Sequence, residues 1–102
     1  MSDNGEIRIE VDRDFMPVVP VYLKNRSAEC TLIPNLLDAG NFDEIKSLGH
    51  RMRGSGGSYG FDEISEIGEM LENAALRCDE AVIRSAIEWL KFYLSRITVA
   101  YI

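Results

Sequence analysis

Apolar residues recur at helical spacing in four segments of this 102-residue chain, and the segments are joined by short connections. In the first, Phe15, Val18, Val19, Tyr22, Cys30, Ile33 and Leu37 mark a stripe from about residue 13 to 39. The second opens behind Asn41, an N-cap with Asp43 and Glu44 in the first turn, and aligns Phe42, Ile45, Leu48, Gly49 and Met52. The third sets Phe61, Ile64, Ile67, Gly68, Leu71 and Ala75 on one face, through about Arg77. The fourth follows Asp79, a second N-cap, and carries Val82, Ala86, Leu90, Tyr93 and Ile97. Each stripe must be buried against another, and short connections make neighbouring helices antiparallel. The expected fold is all-α, an antiparallel up-down-up-down four-helix bundle.

Departures from helical pattern fall at the ends and at the prolines. Pro17 suits a first turn, whereas Pro34 removes a backbone donor inside the first stripe, so a kink there or a break near residues 25–27 is expected. Gly40 stands where a helix C-terminus uses glycine. Ile7–Val11 and Ile97–Tyr101 alternate with a period of two, which is a strand signal. Both ends of such a bundle emerge together, so the two tails either pair as strands or stay frayed. The chain divides into an extended N-terminal segment, residues 1–12, and a bundle, residues 13–102.

Composition removes several function classes. A net charge of -6 with no basic block disfavours nucleic acid and anionic lipid as partners. The longest apolar run, residues 18–23, is far short of a membrane span, and the N-terminus lacks the pattern of a signal peptide. A cytoplasmic location is expected. Cys30 and Cys78 are far apart and outside any CxxC or Cys/His cluster, so they read as two reduced thiols, with no metal site expected.

His50 is the single histidine. At 100° per residue it lies roughly 140° from the apolar direction of the second helix, so its ring faces solvent. On the same side are Lys46 and Ser47 one turn earlier, and Arg53, Gly54 and Gly57 later. Each glycine inside a helix costs about 1 kcal/mol against alanine. A bundle core does not require the glycines at 54, 56 and 57, whereas close approach of another protein to the imidazole would. Arg53, one turn beyond the ring, can stabilise an anion on it. The glycine run is neither a P-loop, for no GK[ST] follows, nor a dinucleotide loop, since Tyr59 stands where the third glycine belongs.

The stretch His50-Arg51-Met52-Arg53-Gly54-Ser55, with a further Gly60, closely resembles the signature of the histidine-containing phosphotransfer (HPt) domain family of bacterial two-component phosphorelays. That signature reads His-x-hydrophobic-Lys-Gly-Ser/Ala. The likeness extends to Leu71-Glu72-Asn73-Ala74 on the third helix and to the approach over residues 37–42, covering about residues 13 to 97. It implies that His50 accepts a phosphoryl group on Nε2. Arg53, standing where the family has lysine, would stabilise that group, its planar fork replacing a point charge. Glu72, at the family's Gln or Glu position, would orient the imidazole by accepting Nδ1–H. Gly54 would permit close approach, and Lys46, Ser47 and Gly57 would share the partner-binding face.

The implied protein is a phosphoryl carrier without an ATP site of its own, and not an enzyme. It would need no cofactor, because the Mg²⁺ belongs to the partner. Its partners would be a response-regulator receiver domain and a histidine kinase. One alternative keeps the fold but makes the chain the phosphoacceptor domain of a chemotaxis-type kinase. Another is a helical interaction module that is never phosphorylated, motivated by Trp89 and Phe92 on the fourth helix. For those two residues, cover by the N-terminal segment is the simpler expectation.

Overall fold

The computed structural model describes residues 5–102. Of the extended N-terminal segment, residues 1–4 lie outside the described residues. A strand β1 (Ile7–Val11) leads through a 3-10 turn (Arg13–Phe15) into four helices, α1 (Val19–Asp38), α2 (Phe42–Gly56), α3 (Asp62–Leu76) and α4 (Glu80–Arg96), and strand β2 (Ile97–Tyr101) closes the chain. The fold is an all-α four-helix bundle with a two-stranded ribbon made by its tails.

The helices start and stop where local chemistry directs. Asn41 Oδ1 accepts the Glu44 N–H at 3.2 Å, and Asp79 Oδ1 accepts that of Val82 at 3.2 Å, each satisfying a donor that has no partner within its helix. Gly40 adopts φ +69, which ends α1 and turns the chain toward α2. Cys78, between α3 and α4, has φ 53, a left-handed conformation that carries strain for a residue with a Cβ.

The first helix differs from its sequence pattern. No break occurs at residues 25–27, and α1 continues across Pro34 to Asp38. Pro34 costs one donor, the one that would serve the Cys30 carbonyl, close enough to the helix end for packing to hold the remainder. The interruption falls earlier: the 3-10 turn ends at Phe15, and Pro20, rather than Pro17, occupies the first helical turn.

Among the described residues, twenty hydrophobic side chains form one continuous core, including Ile33 of α1, Ile45 and Met52 of α2, Ile64, Ile67 and Leu71 of α3, and Ile83, Leu90 and Tyr93 of α4, these nine less than 2% exposed. At the ribbon end of the bundle, Tyr22 stacks on Phe61 with ring centroids 6.0 Å apart, and Tyr59 meets Phe15 and Tyr22 edge-on at 5.1 and 4.9 Å. Tyr22 Oη also shares a 2.8 Å hydrogen bond with Ser55 Oγ, tying α1 to α2.

The tails pair in parallel, Ile7 opposite Ile97 and Val11 opposite Tyr101. Parallel strands need a long crossover, and here the whole bundle serves as one. Ile7, Ile9 and Val11 turn inward, while Arg8 and Glu10 face out. Trp89 is partly buried against the core, and its indole N–H donates to Glu63 Oε1 of α3 at 3.1 Å. Phe92 stays 53% exposed beneath the Arg96 guanidinium, 4.7 Å from its ring.

The closest packing joins α2 to α3 through glycines. A Cβ at Gly49 would lie 2.7 Å from the Glu72 amide nitrogen and 2.8 Å from the Gly68 carbonyl. A Cβ at Gly68 would lie 2.4 Å from the Arg53 amide nitrogen. The two backbones therefore touch at a height set by Gly49 and Gly68, and this contact fixes which residues of α2 stand beside which residues of α3.

Candidate functional site

His50 follows Gly49 on α2, and Glu72 lies one turn beyond Gly68 on α3, so the glycine contact brings these two side chains together. His50 Nδ1 stands 3.0 Å from Glu72 Oε2, while the imidazole side chain is 62% exposed and Glu72 only 16%. The tautomer follows from the partner. An ionised carboxylate can only accept, so Nδ1 carries the proton and donates it to Glu72. The alternative tautomer would set a nitrogen lone pair against a carboxylate lone pair at 3.0 Å. With Nδ1–H committed, the Nε2 lone pair is left free.

Arg53, one turn after the histidine, reaches into the same group. Its Nη1 stands 3.4 Å from Glu72 Oε1, and its Nη2 stands 3.5 Å from His50 Nδ1. Since Nδ1 already carries a proton, this second approach is not a hydrogen bond: two positive ends converge on one carboxylate. Glu72 Oε1 is itself buried and makes no hydrogen bond, and among the described residues the cation that faces it is Arg53, at 3.4 Å.

A shallow hollow of about 440 Å³ opens beside the ring, lined by Lys46, Ser47, His50, Arg51 and Glu72. Lys46 and Ser47 thus stand where the helical wheel placed them. Arg51, paired with Glu44 at 3.6 Å, also lines it, which helical spacing does not suggest for a residue that neighbours His50 along the chain instead of one turn away. Lys46 and Arg51 bring two cations to this hollow, beside the Glu72 and Glu44 carboxylates. Among the described residues, no group of three or more His, Cys, Asp or Glu side chains is arranged to hold a metal ion.

The glycines after the histidine divide into two kinds. Gly54 is exposed, with nothing within 4 Å of where a Cβ would stand, and Gly57 is exposed with only ordinary contact to Ser65 and Asp62. Both leave bare backbone open to an approaching surface. Gly56 serves the interior instead: its Cβ would meet the Phe61 carbonyl and the Ser65 amide at 2.7 Å. Close helix packing, and not partner access, is the reason for that glycine. Ser65, invisible in the sequence reading, joins the two segments. Its hydroxyl donates to the Arg53 carbonyl and accepts from the Gly57 N–H, both at 2.8 Å.

Among the described residues, no helix is long and apolar enough to cross a membrane. Comparison with curated proteins and with solved structures gives no match. The family model for the Hpt domain, in contrast, matches residues 21–98, which include all four helices of the bundle but the first two residues of α1. With an exposed imidazole whose Nε2 is free, on a bundle of this form, the chain belongs to the Hpt domain family, phosphocarrier modules of histidine phosphotransfer in phosphorelays.

Proposed function

We propose that His50 is the phosphoacceptor and exchanges a phosphoryl group through Nε2 with an aspartate of a response-regulator receiver domain. The observation that carries this is the 3.0 Å contact of Nδ1 with Glu72 on a ring that is mostly exposed. The Nε2 lone pair attacks phosphorus of the receiver's acyl phosphate, the P–O bond breaks, and the aspartate leaves as a carboxylate. The ring, now bonded at both nitrogens, becomes cationic, and its Nδ1–H goes on donating to the Glu72 carboxylate without any proton moving. The reverse transfer expels neutral imidazole with its Nδ1–H still in place. Catalysis of this kind is mostly positioning and charge stabilisation.

Lys46 and Arg51 supply positive charge around the phosphoryl oxygens, and Gly54 and Gly57 let the partner's backbone come close. The Mg²⁺ that such a transfer uses would be held by the receiver, where it would supply charge neutralisation, and no residue of this chain is assigned to it. This chain acts in the cytoplasm as a carrier with no ATP site, between a histidine kinase and a receiver.

Incubation with a phosphorylated receiver domain tests the reading. The wild type gains an acid-labile, base-stable label and His50→Gln gains none; equal labelling of both proteins would sink the assignment. A parallel incubation with a kinase domain and ATP separates this reading from a chemotaxis-type phosphoacceptor, which takes its label from the kinase and not from the receiver.

A further inference from the structure

Resting on the reading of His50 as phosphoacceptor, we infer that Arg53 acts on the ring through Glu72. It is a positioning residue, and residues 53 and 72 work as one coupled unit.

Three observations converge. Glu72 is largely buried, and one of its oxygens, Oε1, has no hydrogen bond. The cation facing that oxygen is Arg53, at 3.4 Å. The same guanidinium reaches to within 3.5 Å of Nδ1, on the Glu72 side of the imidazole. A largely buried carboxylate needs a countercharge, which an amide at the same position would not. A planar fork can face Oε1 with one nitrogen while the other spans toward the ring, which a lysine ammonium on its single point cannot do. The arginine at 53 and the carboxylate at 72 therefore explain each other. Together they present nearly zero net charge beside the imidazole, with the acceptor Oε2 held toward Nδ1–H.

Two roles for Arg53 then make opposite predictions. If it grips the phosphoryl oxygens, it must leave Glu72, and its loss slows phosphorylation whatever stands at 72. If it holds Glu72, its loss matters only while residue 72 is a carboxylate. The cycle of Arg53→Gln, Glu72→Gln and the double variant separates them, with phosphoramidate as phosphodonor so that no protein partner is involved. Nε2 attacks its phosphorus and the P–N bond breaks, releasing ammonia.

The expected result is a labelling rate about tenfold lower for Arg53→Gln in the wild-type background, the scale of one charge-assisted hydrogen bond. In the Glu72→Gln background the same change alters the rate by less than about twofold. Nitrogen NMR of the His50 ring gives the second readout, taken without phosphodonor. The wild type and the double variant hold the Nδ1–H form, and Arg53→Gln shifts toward a mixture. Arg53→Lys, which keeps the charge and loses the fork, falls between the wild type and Arg53→Gln. Equal rate loss in both backgrounds, with an unchanged ring tautomer, overturns the inference. Labelling of His50→Gln at the wild-type rate overturns the reading of His50 instead, while the tautomer spectra still decide the coupling.

Discussion

Replacing Gly68 by alanine tests whether the α2–α3 backbone contact sets the site. A Cβ there would stand 2.4 Å from the Arg53 nitrogen, 2.6 Å from the Gly49 oxygen and 2.9 Å from the Met52 carbonyl carbon, where ordinary contact begins at 3.4 Å. All three atoms are backbone, so no side chain can rotate away, and the helices must part by about 1 Å. Overpacking of this kind costs about 1–3 kcal/mol, and alanine's better helix propensity returns about 1 kcal/mol. A net loss of up to about 2 kcal/mol is expected, or up to about 15 °C in Tm for a domain of this size. The same movement stretches the 3.0 Å His50–Glu72 bond toward 4 Å, beyond hydrogen-bonding range. Urea denaturation followed by circular dichroism reads the stability, and phosphoramidate labelling under folding conditions reads the site. Gly54→Ala is the contrast, since nothing lies within 4 Å of its Cβ position. It gains up to about 1 kcal/mol of helix propensity and labels with phosphoramidate at the wild-type rate, but accepts phosphoryl from a receiver more slowly. An unchanged denaturation midpoint and labelling rate for Gly68→Ala would refute the contact as the determinant of the site.

Three further outcomes follow from local geometry. Ser65→Ala leaves the Arg53 carbonyl and the Gly57 N–H without their hydroxyl partner and lowers stability by about 1–2 kcal/mol in the same urea assay. Cys78→Gly relieves a left-handed residue at φ 53 and raises stability by about 1 kcal/mol, measured as a higher Tm. Tyr93 Oη is buried without a hydrogen-bond partner among the described residues, and burial pushes its pKa well above the ordinary tyrosine value. The unfolded chain therefore releases that proton first, and stability falls as pH rises past about 10. Tyr93→Phe removes this alkaline loss and leaves stability at neutral pH equal or higher, as denaturation midpoints between pH 7 and 11 will record.

Most of the bundle was legible because the signals are local. The caps at Asn41 and Asp79 and the stripes of α2, α3 and α4 depend on residues within a few turns of each other. The first helix was harder: three prolines offer several places for a break, and only packing against the rest of the bundle decides that Pro34 is tolerated. The outward turn of His50 could be read from angle alone, and the approach of Glu72 from its match to the family motif. What sequence could not supply is what one helix does to another. Gly49 and Gly68 read simply as small residues on apolar faces, Gly56 as part of an exposed run, and Ser65 as nothing in particular. Their meaning needs the facing backbone. The same holds for Arg53, whose partner is a carboxylate nineteen positions later.

The parallel ribbon has a consequence for the order in which the molecule assembles. Pairing Ile7 with Ile97 closes a loop that spans the bundle, and the entropy of that closure is unrewarded until the helices between have docked. The ribbon therefore forms last and opens first. Its amides exchange with solvent through local opening, while those of α2 and α3 near the glycine contact wait for global unfolding. Faster amide exchange in the joined tails than in α2 and α3 would show that the ends of the chain can come apart while His50 keeps its contact with Glu72.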